Sequence, residues 1–153
     1  MKIETKYVIK MSSEVEFSNH GNGDLINIIY PGIRTGVNSL VSRNSQYFAY
    51  TTALSIYVYE QKTLNIVNII TRENNIISTI QFSLKTPQLI AISYHTSKVE
   101  VINVVDNKLI TEFKTEYPII SFGWSKQDTE LICFTRYYSQ FYIFSSTTGK
   151  KIK

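Results

Sequence analysis

Residues 76–102 recur 42 positions further along the chain, and this repeat constrains the fold more than any other feature. Phe82 and Ser83 return as Trp124 and Ser125, Leu89 as Leu131, and Ile102 as Phe144. Each unit holds three short apolar runs separated by polar turns: 76–83, 89–94 and 99–102, then 119–125, 131–134 and 141–144. Runs of four to eight residues rich in Ile, Val, Phe and Tyr are strand-length, too short for helices. A small sheet with two apolar faces cannot bury them alone, so neighbouring units must stack.

A unit in the low forties with strand-length apolar runs is the sequence form of a β-propeller blade. We therefore expect an all-β chain of blades of four antiparallel strands, about three repeats preceded by a leader. The expected boundaries are 37–75, 76–116 and 117–153, the last with a truncated outer strand. Residues 1–36 form the leader, read as a divergent blade or a closing strand. Composition agrees: three prolines, six glycines and 13% aromatic residues favour a pleated, half-buried surface. Propellers generally close with 4–8 blades, so three units predict an incomplete propeller whose open end exposes apolar sheet surface. The pairs Ile56/Val58, Val99/Val101 and Phe141/Ile143 are expected between blades, with Ile80/Phe82 and Phe122/Trp124 joining them from the innermost strands.

The units resemble the WD-repeat β-propeller family over roughly residues 37–153. The resemblance rests on the inner-strand endings Phe82-Ser83 and Trp124-Ser125 and on the small-residue strand Ile90-Ala91-Ile92-Ser93. It extends to the third strands closing in Tyr59, Ile102 and Phe144, and to the polar links Asn107-Lys108 and Gly149-Lys150. The block Tyr47–Tyr59 is similar to the opening blade of the N-terminal propeller of large WD-repeat scaffold proteins. The signature Trp-Asp is replaced by Tyr59-Glu60, Ile102-Asn103 and Phe144-Ser145, and no Gly-His precedes a unit. The hydrogen-bond network those residues form in the family therefore cannot form as such. The resemblance implies a non-catalytic protein–protein interaction scaffold that presents rim loops to partner proteins, or to further blades completing the ring.

Searching for chemistry leaves little. The chain has two histidines and one cysteine, too few for a zinc site or a hydrolytic triad. His20 lies in a Gly/Asn turn and His95 in a strand connection. Cys133, between Ile132 and Phe134, reads as a buried structural thiol. Gly21-Asn22-Gly23-Asp24 lacks the alternating ligands of a cation loop and reads as a turn. No phosphate-binding or dinucleotide glycine motif occurs, so no cofactor, metal or enzymatic activity is expected. A single cysteine and an N-terminus without an apolar signal segment point to a cytoplasmic protein. No apolar run is long enough to span a bilayer. The formal charge of +4 leaves a nucleic-acid or phosphate-binding module as the alternative, although no basic cluster sits within the repeat. Arg136-Tyr137-Tyr138 is the most distinctive surface group, because Tyr and Arg are enriched at binding hot spots. By the strand assignment Arg72, His95 and Lys114 share its rim.

Overall fold

Each period of the sequence folds into one antiparallel meander. The structure is a computed structural model that describes residues 40–135 and 141–153, all strand and turn with no helix among them. The first sheet runs β1 (Val41–Arg43), β2 (Tyr47–Thr51), β3 (Ser55–Glu60) and β4 (Ile66–Thr71), in that spatial order. The second repeats it as β5 (Ile77–Phe82), β6 (Leu89–Tyr94), β7 (Lys98–Asn103) and β8 (Lys108–Lys114). The third comprises β9 (Ile119–Trp124), β10 (Glu130–Thr135) and β11 (Phe141–Ser145), with the start of an outer strand at the Phe144–Lys151 bridge. These are β-propeller blades.

Tight turns let so short a unit reverse three times. Leu64, Asn74, Ser97, Asn107, Asp128 and Gly149 all adopt the left-handed region, which asparagine, aspartate and glycine tolerate and leucine does not favour. Leu64 is held there by its own N–H donating to the Glu60 carbonyl (2.9 Å), beside a Thr63–Glu60 side-chain bond of 2.7 Å. Gly149 is required twice over. Its φ is +67°, and a Cβ would stand 2.6 Å from Thr111 Oγ1 and 2.8 Å from the Glu112 carbonyl oxygen. Gly149→Ala should therefore cost about 2 kcal/mol and loosen residues 150–153 from β11. A lowered melting temperature with faster amide exchange at Ile143 and Ser145 would verify this; unchanged exchange would refute it.

The sheets stack face to face through two apolar layers. Ala49, Ile56, Val58 and Ile70 of the first sheet meet Ile80, Phe82, Ile90, Ile92 and Ile102 of the second. Ala91, Val99, Val101 and Phe113 then meet Phe122, Trp124, Leu131, Cys133 and Phe144 of the third. Each such side chain contributes about 1.5–3 kcal/mol on burial, so the junctions between sheets stabilise the fold. The inner strands are also pinned to one another. Ser42 Oγ accepts from the Phe82 N–H (2.9 Å), and Trp124 Nε1 donates to the Gln81 carbonyl (3.1 Å).

Two expectations change in detail. Leu131 follows Leu89 at the constant offset, yet it pairs with Trp124, the position that Ile90 takes opposite Phe82. The β9–β10 turn is one residue shorter than the β5–β6 turn, and because side chains alternate, a one-residue slip decides which face a residue serves. The pair Phe141/Ile143 does not lie in either junction. Val99 and Val101, at the same positions one sheet earlier, are fully buried, whereas Phe141 is 47% exposed. With Ile132 and Phe134, also 47% exposed, they form a sheet face that no described residue covers as the third sheet covers the second.

Candidate interaction rim

Alternating strand direction brings the β2–β3, β4–β5, β6–β7 and β8–β9 connections to one end of the sheets. Backbone bonds lace them in sequence. The Arg72 N–H donates to the Leu54 carbonyl (2.8 Å), and the His95 N–H to Ile76 (3.0 Å). The Thr115 N–H then donates to Ser97 (2.9 Å). The rim is thereby braced by main-chain bonds.

Arg72, immediately after β4, turns across the junction into the second sheet. Its Nε donates to Glu100 Oε2 (2.8 Å), and Nη2 reaches Asn107 Oδ1 (3.3 Å). Glu100 is buried between Val99 and Val101, and Tyr94 Oη donates to the same Oε2 (2.8 Å). Its other oxygen takes Lys98 Nζ at 2.7 Å, and Lys98 also reaches Glu112 at 2.9 Å. Burial alone would raise the Glu100 pKa, but the Lys98, Arg72 and Tyr94 donors outweigh it and hold the carboxyl below its usual range. Burial and the Glu100 charge push the Tyr94 phenol up. Arg72 is therefore an inter-blade strut with about a fifth of its side chain at the surface.

His95 is exposed on the β6–β7 turn, and Lys114 is exposed at the end of β8. The laced backbone connects the elements carrying Arg72, His95 and Lys114. Arg136, Tyr137 and Tyr138 lie outside the described residues, as does His20. Two exposed rim residues were not foreseen as such: Leu54, an apolar residue between two strands, and Ile76, read as the start of the apolar run 76–83 but lying just before β5, exposed at 41% and 37%. The Glu100 network had a signal as well, a carboxylate flanked by two valines on a strand.

At the opposite end of the sheets Asp128 clasps the neighbouring β5–β6 turn. Its carboxylate accepts from the Ser83 hydroxyl and from the backbone N–H groups of Lys85 (2.6 Å), Thr86 (3.0 Å) and Leu84 (3.1 Å). Burial opposes its charge, but these donors prevail and lower its pKa. Cys133 is fully buried, its thiol pushed up to about 12 by burial, which makes it unreactive. Among the described residues no group of three His, Cys, Asp or Glu side chains is placed to hold a metal, and no helix is long and apolar enough to cross a membrane.

No protein-family model matches the sequence, and no curated protein matches it. Solved structures do. A chain in the crystal structure of a mitotic checkpoint complex superimposes with a TM-score of 0.66 at 10% sequence identity. The match covers 75% of the present chain and 37% of that chain, so the present chain spans little more than a third of its length. At such low identity the likeness is one of fold, and it agrees with the propeller blades described above.

Proposed function

We propose that the chain is a non-catalytic, cytoplasmic protein–protein interaction scaffold of the WD-repeat type, which presents rim loops to partner proteins. The observation that carries this reading is the laced rim: successive connections held rigidly at one end of stacked sheets, with Leu54, Ile76, His95 and Lys114 outward. Rigid loops bind with little ordering cost, and a mixture of apolar, basic and aromatic groups suits a protein interface. Arg72, His95, Lys114, Arg136, Tyr137 and Tyr138 form the proposed contact set, with Arg72 acting partly through the loops it braces. The face of Ile132, Phe134, Phe141 and Ile143, which no described residue covers as a neighbouring sheet would, supports completion of the ring. Further blades, or a partner protein, complete the ring there.

The test is affinity capture followed by quantitative binding to whatever protein is captured. Replacing Arg136, Tyr137 and Tyr138 with Ala should weaken binding at least ~30-fold, the loss of about 2 kcal/mol that marks a hot spot. Binding unaffected by these changes and by His95→Ala overturns the rim assignment. Affinity for nucleic acid that falls steeply with salt would replace this reading with a phosphate-binding one.

A further inference from the structure

We propose that the third-sheet face left open by the described residues docks the same face of a second copy of the chain, about a two-fold axis that runs along β11. The inference rests on the scaffold reading and names the partner that covers this face.

The face is built in rows. Glu130, Ile132 and Phe134 of β10 stand opposite Ser145, Ile143 and Phe141 of β11. Beyond β11 the Phe144–Lys151 bridge starts the outer strand, and backbone bonds set Lys150 against Ser145 (2.9 Å) and Ile152 against Ile143 (2.7 Å). Lys151 lies over the Tyr142 ring on the junction side, so alternation turns Lys150 and Ile152 to the opposite face. Ile152 is 55% exposed there. The rows across the face are therefore Glu130–Ser145–Lys150, then Ile132–Ile143–Ile152, then Phe134–Phe141 with ring centroids 6.2 Å apart. A contiguous apolar surface of this kind marks an interaction site.

Bulk and symmetry identify the occupant. In the first and second sheets the same places on the second strand hold Ala49 and Thr51, then Ala91 and Ser93, all fully buried. These small residues let the following sheet close in, whereas the third sheet has Ile132 and Phe134 there. Of the occupants that the scaffold reading allows, this favours a partner protein over a further blade seated as closely. Symmetry then selects the partner. β11 is the centre of the pattern: Ile132 and Ile152 flank Ile143, and Glu130 and Lys150 flank Ser145. Half a turn about an axis along β11 sets Ile143 on its own counterpart, Ile132 on Ile152 and Glu130 on Lys150. Apolar surface then meets apolar surface, and each carboxylate meets an ammonium. Among the described residues neither Glu130 nor Lys150 has an ion-pair partner within the chain. Sheets that pack face to face keep their strands nearly aligned, as this axis requires.

Analytical sedimentation of the purified chain across a concentration series tests this directly. The parent should form a reversible dimer, and Phe141→Asp should be monomeric with an unchanged circular dichroism spectrum. Glu130→Lys and Lys150→Glu should each weaken the dimer about tenfold or more, by setting like charges face to face. The double exchange should restore the parent affinity. A parent that stays monomeric, or assemblies that grow beyond the dimer, would overturn the proposal. So would a dimer that tolerates Phe141→Asp, single exchanges that change nothing, or a double exchange that rescues nothing. The rim reading is judged separately, because this assay contains no other protein. Loss of partner capture in the Arg136/Tyr137/Tyr138 variant with a monomeric parent sinks only this inference. A rescued dimer with partner capture indifferent to that variant sinks only the rim assignment.

Discussion

Replacing Glu100 with Ala should destabilise the domain by about 3 kcal/mol, the lower end of the range for breaking a buried ion pair. The lower end applies because Arg72 and Lys98 keep 20% and 22% of their side-chain surface, so both cations can partly rehydrate once the carboxylate is gone. For a unit of this size the change corresponds to a fall in melting temperature of roughly 10 °C or more. Tyr94 would suffer most, as its fully buried hydroxyl loses the Glu100 acceptor. Exchanging Glu100 and Arg72 together for Met should restore part of the loss, since an apolar pair of similar volume avoids burying charge and Lys98 retains Glu112, while the buried Tyr94 hydroxyl still lacks its acceptor. A double-mutant cycle by chemical denaturation measures the coupling. Additive losses would mean that Arg72 and Glu100 do not act as a unit.

The pH dependence follows from the direction of the shift. The folded state holds the Glu100 carboxyl below its ordinary value, so its stabilisation is complete above the unfolded value of about 4.3. It is lost as pH falls from there through the folded value. The Ala variant should accordingly lose less stability than the parent over that acid interval, and a steeper acid loss in the variant would contradict the assignment.

Asp128 should matter as much, by a different route. One carboxylate satisfies a hydroxyl and three backbone N–H groups of the adjoining sheet's turn, and hydrogen bonds to a charged group contribute about 1.5–3 kcal/mol each without adding fully. Asp128→Gly should cost about 3 kcal/mol. Glycine removes the carboxylate while keeping the left-handed backbone of φ 61°, so that loss isolates the clasp from backbone strain. Asp128→Ala should cost about 1 kcal/mol more, because alanine resists that conformation. Asp128→Asn, which keeps one acceptor oxygen and tolerates the backbone, should fall near half the glycine loss. With its pKa lowered, Asp128 stabilises fully above about 3.9 and loses that contribution as pH drops below. Equal stability of the Asn and Gly variants would show that the turn does not depend on its acceptor. Local exchange at Leu84, Lys85 and Thr86 separates this from a general loosening.

The division between what could be read early and what could not follows range of interaction. Strand existence was legible: Leu89–Tyr94 has in the structure the limits that the apolar run suggested, because alternation and turn chemistry are local properties. Recurrence of the runs also told that the sheets must stack, since neither face of a strand such as Ile90–Ser93 could face water. Of the rim, simple strand counting placed His95 in a connection, where the structure has it, whereas Lys114 closes strand β8.

Tertiary structure alone decided which sheet contacts were made and which residues were structural. Arg72 looked like a free rim cation, yet its partner lies 28 residues away on another sheet. Asp128 belongs to no motif of the sequence, yet it bonds Ser83, 45 residues earlier. The one-residue difference between the β5–β6 and β9–β10 turns reassigns Leu131, and the absence of a covering sheet in the described residues leaves Phe134 and Phe141 exposed. Periodicity reports how a segment repeats along one axis, and so it fixes strands and their stacking. Pairing of charges across a junction depends on where two distant side chains meet in space, and only the packed sheets settle that.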